Sequence, residues 1–279
     1  MKTAKRIIVV IGFLGILFGG DESDPDIEKS LAAGINLTQA GFDNWVAGGE
    51  GSYAWQSNLD FKYKYTSEKI VWSNTGKIAY GSQKTGEKPT QKSIDELKFE
   101  SVATYQLGSS INPFVAIVGE TQLDAGYDYS VDPAIQISAF LDPGYFRESF
   151  GAGFELNPNL TTRIGLSMKQ SITSDFPAPF ADDPATTEIE KIKSEFGAES
   201  VSDIILKVSD NTEYSSKLEI FTAFSSLDET DLRWDNSLTV KLSEYFNVNI
   251  NMIVVYDKDI SAKRQIKQAT ALGLNYSFF

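Results

Sequence analysis

Charged side chains recur at every second position in several stretches of this chain, as in Asp60-x-Lys62-x-Lys64, Glu96-x-Lys98-x-Glu100, Lys217-x-Glu219 and Arg233-x-Asp235. In an extended strand that spacing puts them on one face. Bases and acids interleaved on a shared face form ion pairs, or present a field that sorts solutes by charge. Covalent or acid–base catalysis fits less well. The 279 residues include no His and no Cys, which removes the commonest general base, the thiolate nucleophile and the usual transition-metal ligands. No G-x-S-x-G or S-x-x-K arrangement is present. Gly151-Ala152-Gly153 is followed by no helical pattern and so makes no nucleotide loop. Asp182-Asp183 and Asp257-Lys258-Asp259 lack the frame of a calcium loop. The expectation is a protein that is not an enzyme, with no catalytic residue, cofactor or metal. Its net charge of −13 and pI of about 4.5 argue against nucleic acid as a partner.

The elements that carry these charges alternate with a period of two. From Tyr53 to Tyr65 the odd positions read Tyr, Trp, Ser, Leu, Phe, Tyr, Tyr, and the even positions carry Ala, Gln, Asn, Asp, Lys and Lys. Such a segment is long for a soluble strand and suits a tilted strand crossing a bilayer. The same alternation predicts strands near residues 30–40, 53–65, 70–82, 94–107, 113–124, 145–156, 160–171, 201–208, 213–226, 231–243, 247–257 and 265–278. The apolar run 113–124 leaves its two faces undecided. Twelve strands place both termini at one end, and longer connections alternate with short turns, as in outer-membrane barrels. Residues 172–200 are the longest connection, and their charged part, 187–196, suggests a short helix.

Residues 1–20, with Lys2, Lys5 and Arg6 ahead of an apolar run, have the make-up of a secretory signal. Residues 21–28 form an acidic linker, and 29–279 the barrel. The fold class expected is all-β: a transmembrane, antiparallel, up-and-down β-barrel of about twelve strands in the outer membrane of a Gram-negative bacterium, with membrane lipid as its partner. Aromatics near strand ends, among them Trp55, Trp72, Tyr105, Trp234 and Tyr276, match interfacial girdles.

With the apolar rows turned to lipid, the polar rows line the lumen. Lys62, Lys64, Lys77, Lys98, Arg147, Arg163, Lys169, Lys217, Arg233, Lys241 and Lys267 fall on them, with Asp60, Glu96, Glu100, Glu155, Glu219 and Asp235. The bases outnumber the acids in that set, so the expectation is a narrow, porin-like channel for small polar or anionic solutes. The alternative is a plugged structural or surface-binding barrel without transport, because twelve strands fall between barrels filled by side chains and those that enclose water.

Asn36-Leu37-Thr38-Gln39-Ala40 followed by Asn44-Trp45-Val46-Ala47-Gly48-Gly49-Glu50-Gly51-Ser52 resembles the marker segment, N-W-A-x-G-G-E-x-S, of an uncharacterised outer-membrane barrel family typical of Bacteroidota and relatives. Trp72-Ser73-Asn74-Thr75, Phe140-Leu141-Asp142-Pro143, Trp234-Asp235 and Tyr256-Asp257 are similar to other positions of that family. The resemblance implies an outer-membrane barrel and carries no activity or ligand. Within it, Asn44, Trp45, Gly48, Gly49 and Glu50 form a loop that either folds inward as a constriction or packs on the rim.

Overall fold

A computed structural model describes residues 25–279 apart from 43–45, 47, 48, 109, 179, 228, 259 and 279. The signal segment therefore lies outside the described residues. The described residues form fourteen strands: β1 (Asp26–Ala40), β2 (Ser52–Thr66), β3 (Ile70–Thr85), β4 (Gln91–Tyr105), β5 (Ile111–Thr121), β6 (Gly126–Asp128), β7 (Ile135–Ser138), β8 (Gly144–Asn157), β9 (Leu160–Ile172), β10 (Ile192–Ser209), β11 (Thr212–Ala223), β12 (Thr230–Lys241), β13 (Phe246–Tyr256) and β14 (Gln265–Ser277). All but β6 and β7 close into one barrel in the order β1-β14-β13-β12-β11-β10-β9-β8-β5-β4-β3-β2, every pairing antiparallel. The short β6–β7 hairpin stands in the connection between β5 and β8. Tight turns such as 67–69, 158–159 and 210–211 mark the lower end, which also carries the first and last strand ends.

The rows are inverted relative to a soluble protein. On β5, Asn112, Phe114, Ala116 and Val118 are buried, while Val115 and Ile117 are 52% and 53% exposed. On β8 and β9 the outward row exposes Phe150 and Ile164, while inward Ser149 and Ser167 are buried. Apolar side chains face out from every wall, and hydrocarbon is the medium that fits them. Among the described residues no helix is long and apolar enough to span a membrane. The strands do the spanning, in the manner of outer-membrane barrels. Rings pair outside near the ends, Trp55 with Tyr80 at 6.0 Å above and Tyr245 with Tyr276 at 6.4 Å below.

Two expectations need correction, and one question left open is decided. β10 spans Ile192–Ser209 rather than 201–208, so the stretch expected to end a helix, 192–196, is strand, and the connection shortens to 173–191. β1 begins at Asp26, inside the segment read as linker, where Glu28 pairs with Lys64 at 2.7 Å. β5 looked uniformly apolar because both its faces are apolar: Phe114, Ala116 and Val118 point into the barrel while Ile111, Val115 and Ile117 point out.

Candidate functional site: a charged barrel interior

Strand parity and register place the inward side chains. Asp60 on β2 faces Lys77 on β3, which pairs with Lys98 on β4, which pairs with Glu120 on β5. Val118 lies beside Arg147, Gly153 beside Arg163, and Glu219 on β11 beside Arg233 on β12. These groups form one continuous lattice. Lys77 meets Glu96 at 2.7 Å; Arg233 meets Glu96 at 3.2 Å, Glu120 at 2.9 Å and Asp235 at 3.0 Å. Lys98 bridges Glu120 at 3.5 Å and Glu219 at 3.3 Å. Glu219 also takes Arg147 at 2.9 Å, and Arg147 reaches Glu199 at 3.2 Å. Glu100 accepts both Arg163 and Lys217.

Many of these contacts bridge facing walls. Lys98 and Glu219 belong to β4 and β11, five strands apart around the barrel, and Arg233 reaches from β12 to Glu96 on β4 and Glu120 on β5. Eight strands make an interior that side chains just fill. Twelve in a circle would hold these walls out of reach, so the section is pinched where β4 and β5 approach β11 and β12. Beyond the pinch, the lobe under β8, β9 and β10 is packed: the Glu199 side chain is fully buried, Ser167 and Val201 are nearly so, and Arg163 lies over the Phe114 ring at 5.8 Å. The wall of β13, β14, β1 and β2 differs. Apart from Glu28, Asp60, Lys62, Lys64 and Lys267, its inward side chains are mostly small or amide: Asn249 donates to Asn36 at 3.0 Å, Gly34 and Gly273 leave room for surrounding asparagines, and Ala269 on β14 is exposed.

A second cluster sits higher. Lys169 contacts Asp231 at 2.5 Å, Asp257 at 3.2 Å and Glu195 at 3.8 Å, and stands 5.7 Å from the Phe221 ring. Two cavities open near it. One, of about 450 Å³, is lined by Lys92, Glu96, Glu120, Arg233, Gln265 and Lys267 among others. The other, of about 240 Å³, lies between Lys98, Tyr145, Lys169, Phe221 and Asp257.

Of the residues expected to line the lumen, Lys77, Lys98, Glu100, Arg147, Arg163, Lys217, Glu219, Arg233 and Asp235 belong to the lattice. Lys169 anchors the upper cluster. Lys62, Lys64, Glu155 and Lys241 lie toward the lower end of their strands, outside the lattice. The sequence reading omitted the inward carboxylates Glu120, Glu195, Glu199, Asp203, Asp231 and Asp257. Together with inward Lys193 and Lys207 they bring the interior close to charge balance, and the expected excess of positive charge is absent. The parity of Glu195 and Glu199 with Asp203 was the signal, readable once β10 starts at Ile192.

Of the marker loop, Asn44, Trp45 and Gly48 lie outside the described residues. Gly49 takes a positive φ of 147° beneath the Phe42 ring. The Glu50 carboxylate lies against Gly86 in the β3–β4 turn, where Gly86 N donates to Gly51 O at 2.8 Å. This part of the loop is on the rim. Two aspartates tie the rim together. Asp95 accepts the Leu123 and Asp124 amides, and Asp142, 5% exposed, accepts those of Ser174 and Asp175 at 3.0 and 2.7 Å.

Residues 37–127 match the family described as protein of unknown function (DUF3078), a span that starts within the marker segment and ends in β6. No curated protein matches the chain. Among solved structures, the chain is similar to an outer membrane channel from Pseudomonas putida F1, with 9% identity and TM-score 0.43 over 94% of this chain and 99% of that one. It is also similar to the translocator domain of the autotransporter NalP from Neisseria meningitidis, with 10% identity and TM-score 0.41 over 93% and 89%. The NanC porin aligns at 6% identity and TM-score 0.41 over 88% and 98%.

Proposed function

We propose that this outer-membrane barrel is a narrow channel for small polar solutes, constricted by its own ion pairs. The observation that carries this reading is the set of salt bridges joining β4 and β5 to β11 and β12 across the interior. A carboxylate and a base held opposite each other in a low-dielectric wall give a transverse field and a polar, size-limited passage. The path that remains runs along the β13, β14, β1 and β2 wall, where Asn36, Asn249 and Ala269 offer amide and small neutral surfaces. Because inward acids and bases nearly balance, the passage selects by size and polarity rather than favouring anions.

The purified barrel in planar bilayers should show small conductance steps with reversal potentials close to zero in a salt gradient. Liposomes carrying it should swell in small polyols and pentoses and not in trisaccharides. A closed structural barrel is favoured by one observation, the complete burial of the Glu199 side chain beside Ser167 and Val201. Silence in both assays, with the protein folded, would select that second reading.

A further inference from the structure

The barrel is sealed unevenly. β1 pairs with β2 at every position from Asp26 to Ala40, whereas β1 pairs with β14 only from Ala32↔Ser277 to Leu37↔Leu272. β14 continues upward for another stretch, Gln265 to Ala271, bonded to β13 on one side and, among the described residues, to no strand on the other. Among the described residues, Thr38, Gln39 and Ala40 of β1 likewise have no strand partner toward β14. The residues from Gln265 to Thr270 and from Thr38 to Ala40 are exposed. Outward Leu272 and Ile266 bracket the unpaired stretch at 52% and 55% exposure, with outward Gln268 and Thr270 between them, which sets it at the upper margin of the apolar belt. An unpaired strand edge in hydrocarbon is costly, since each unsatisfied backbone group loses several kcal/mol. The inward side chains next to the last pair, Thr38, Ala40, Ala269 and Ala271, are small.

The larger cavity meets this edge from inside. It is lined by Gln265, Ile266 and Lys267, and so touches both an inward and an outward side chain of β14. Ile94, Ile253 and Val255 give it apolar surface. The Lys267 ammonium within it donates to the neutral Ser93 carbonyl at 2.7 Å, and no ion pair among the described residues uses it. Asp95, Glu96 and Glu120 also line it, and each is already met by Lys92, Lys77 or Arg233. Apolar side chains beside a cation bonded to a neutral acceptor, with an opening toward lipid, together describe a site for one chemical class.

We propose that the upper part of the β1–β14 seam is a lateral portal, through which a single-chain amphiphile with an anionic head passes between the outer leaflet and the cavity at Lys267. The proposal rests on the barrel spanning the membrane, not on its conducting solutes. It puts the alkyl chain along Ile94, Ile253 and Val255 and the head at the Lys267 amine.

The test uses the full barrel in nanodiscs with dodecyl phosphate as probe. Thr38→Cys with Ala271→Cys occupies the next register positions above the last pair, and no native cysteine competes with them. Bridging the two with a short bis-maleimide should slow dodecyl phosphate association at least about tenfold, while the unbridged double variant binds as wild type does. Lys267→Gln should weaken dodecyl phosphate about tenfold and leave dodecyl maltoside unaffected. Equal association rates with and without the bridge would overturn the proposal, because the probe would then be entering by the mouth. So would equal binding of dodecyltrimethylammonium, displacement by inorganic phosphate alone, or no binding at all. Liposome swelling of the bridged variant should match that of the unbridged protein, so a failed portal and a failed channel give different signatures.

Discussion

Glu100 holds two cations from other strands at the pinch, and its removal tests whether the lattice fills the barrel or is dissolved in lumenal water. It is 8% exposed on β4 and accepts Arg163 from β9 and Lys217 from β11. Replacing one member of a buried pair typically costs about 3–5 kcal/mol, because a charge is left desolvated and uncompensated. Glu100→Gln strands two cations, but each has a second acid in reach: Lys217 lies 3.7 Å from Glu219 and Arg163 lies 4.0 Å from Glu199. Partial re-pairing puts the expected loss at the lower end, about 3 kcal/mol. With a urea slope of about 2 kcal/mol/M, the unfolding midpoint should fall by about 1.5 M. The assay is unfolding of the membrane-inserted barrel, followed by its heat-modifiable gel mobility. The same variant adds one net positive charge at the constriction, so its reversal potential should move toward anion selectivity. Glu100→Gln combined with Lys217→Met removes a matched pair and should recover much of the loss. A single variant within about 0.3 M of wild type in midpoint, with an unchanged reversal potential, would refute the claim that these groups are desolvated across a pinch.

Other perturbations probe the walls and the rim. Ile164, 52% exposed on the outward row of β9, should cost about 2–4 kcal/mol as Lys if it meets the bilayer interior, whereas inward Thr161→Lys should be close to neutral; urea unfolding in liposomes separates the two. Gly165→Ala would press a methyl on the Phe150 carbonyl and bring it 3.2 Å from the Phe114 ring, so a loss of about 1–3 kcal/mol by the same measurement is expected. Asp142→Ala removes the acceptor for Ser174 N and Asp175 N, and limited proteolysis should cut within 173–191 faster while the barrel stays intact. The Ala125 amide and the Tyr80 hydroxyl hold the Asp124 carboxyl below the usual aspartate value. Its contribution to rim order is complete above the unfolded-state value of about 3.9 and is lost as pH falls through the lower folded value. Hydrogen exchange in residues 122–128 should rise across that acidic window in wild type and show no such step in Asp124→Asn.

The strands were legible where one face differs chemically from the other. β2 alternates Trp55, Leu59, Phe61 and Tyr63 with Gln56, Asn58, Asp60 and Lys62, and its limits in the structure fall within a residue of those read from the sequence. Legibility failed where that contrast vanishes. β5 carries apolar residues on both faces because Phe114 and Val118 fill the interior while Val115 and Ile117 meet lipid. β10 begins with Lys193 and Glu195 flanking Ser194, a charged stretch that reads as helix or loop until its pairing with β9, from Ile192↔Ile172 onward, is known. The carboxylates missed there and on β5 reduced the expected positive excess of the lumen. Whether a basic row makes a positive pore depends on every wall, and Asp231 on β12 and Asp257 after β13 completed the balance.

Partner choice across the lumen was never in the sequence pattern. Alternation tells which residues point inward, but not that Lys98 meets Glu219 or that Arg233 meets Glu96 and Glu120. Those pairings depend on shear and on the shape of the section, which no single strand encodes. The dependence also runs the other way. Buried charges must find partners, and the bases of β11 and β12 reach the acids of β4 and β5 only if the two walls draw together. The section is then narrow between those walls and wide elsewhere. One lobe is filled by Arg147, Arg163, Glu199 and Phe114, and the other is left to the amides and small residues of β13, β14 and β1. The short β1–β14 pairing lies in that second lobe, on the wall that the lattice does not tie to any opposite strand except through Lys267 and Ser93. Pinch, passage and weak seam thus follow from a single asymmetry, the absence of inward carboxylates from the described residues of β13 and β14.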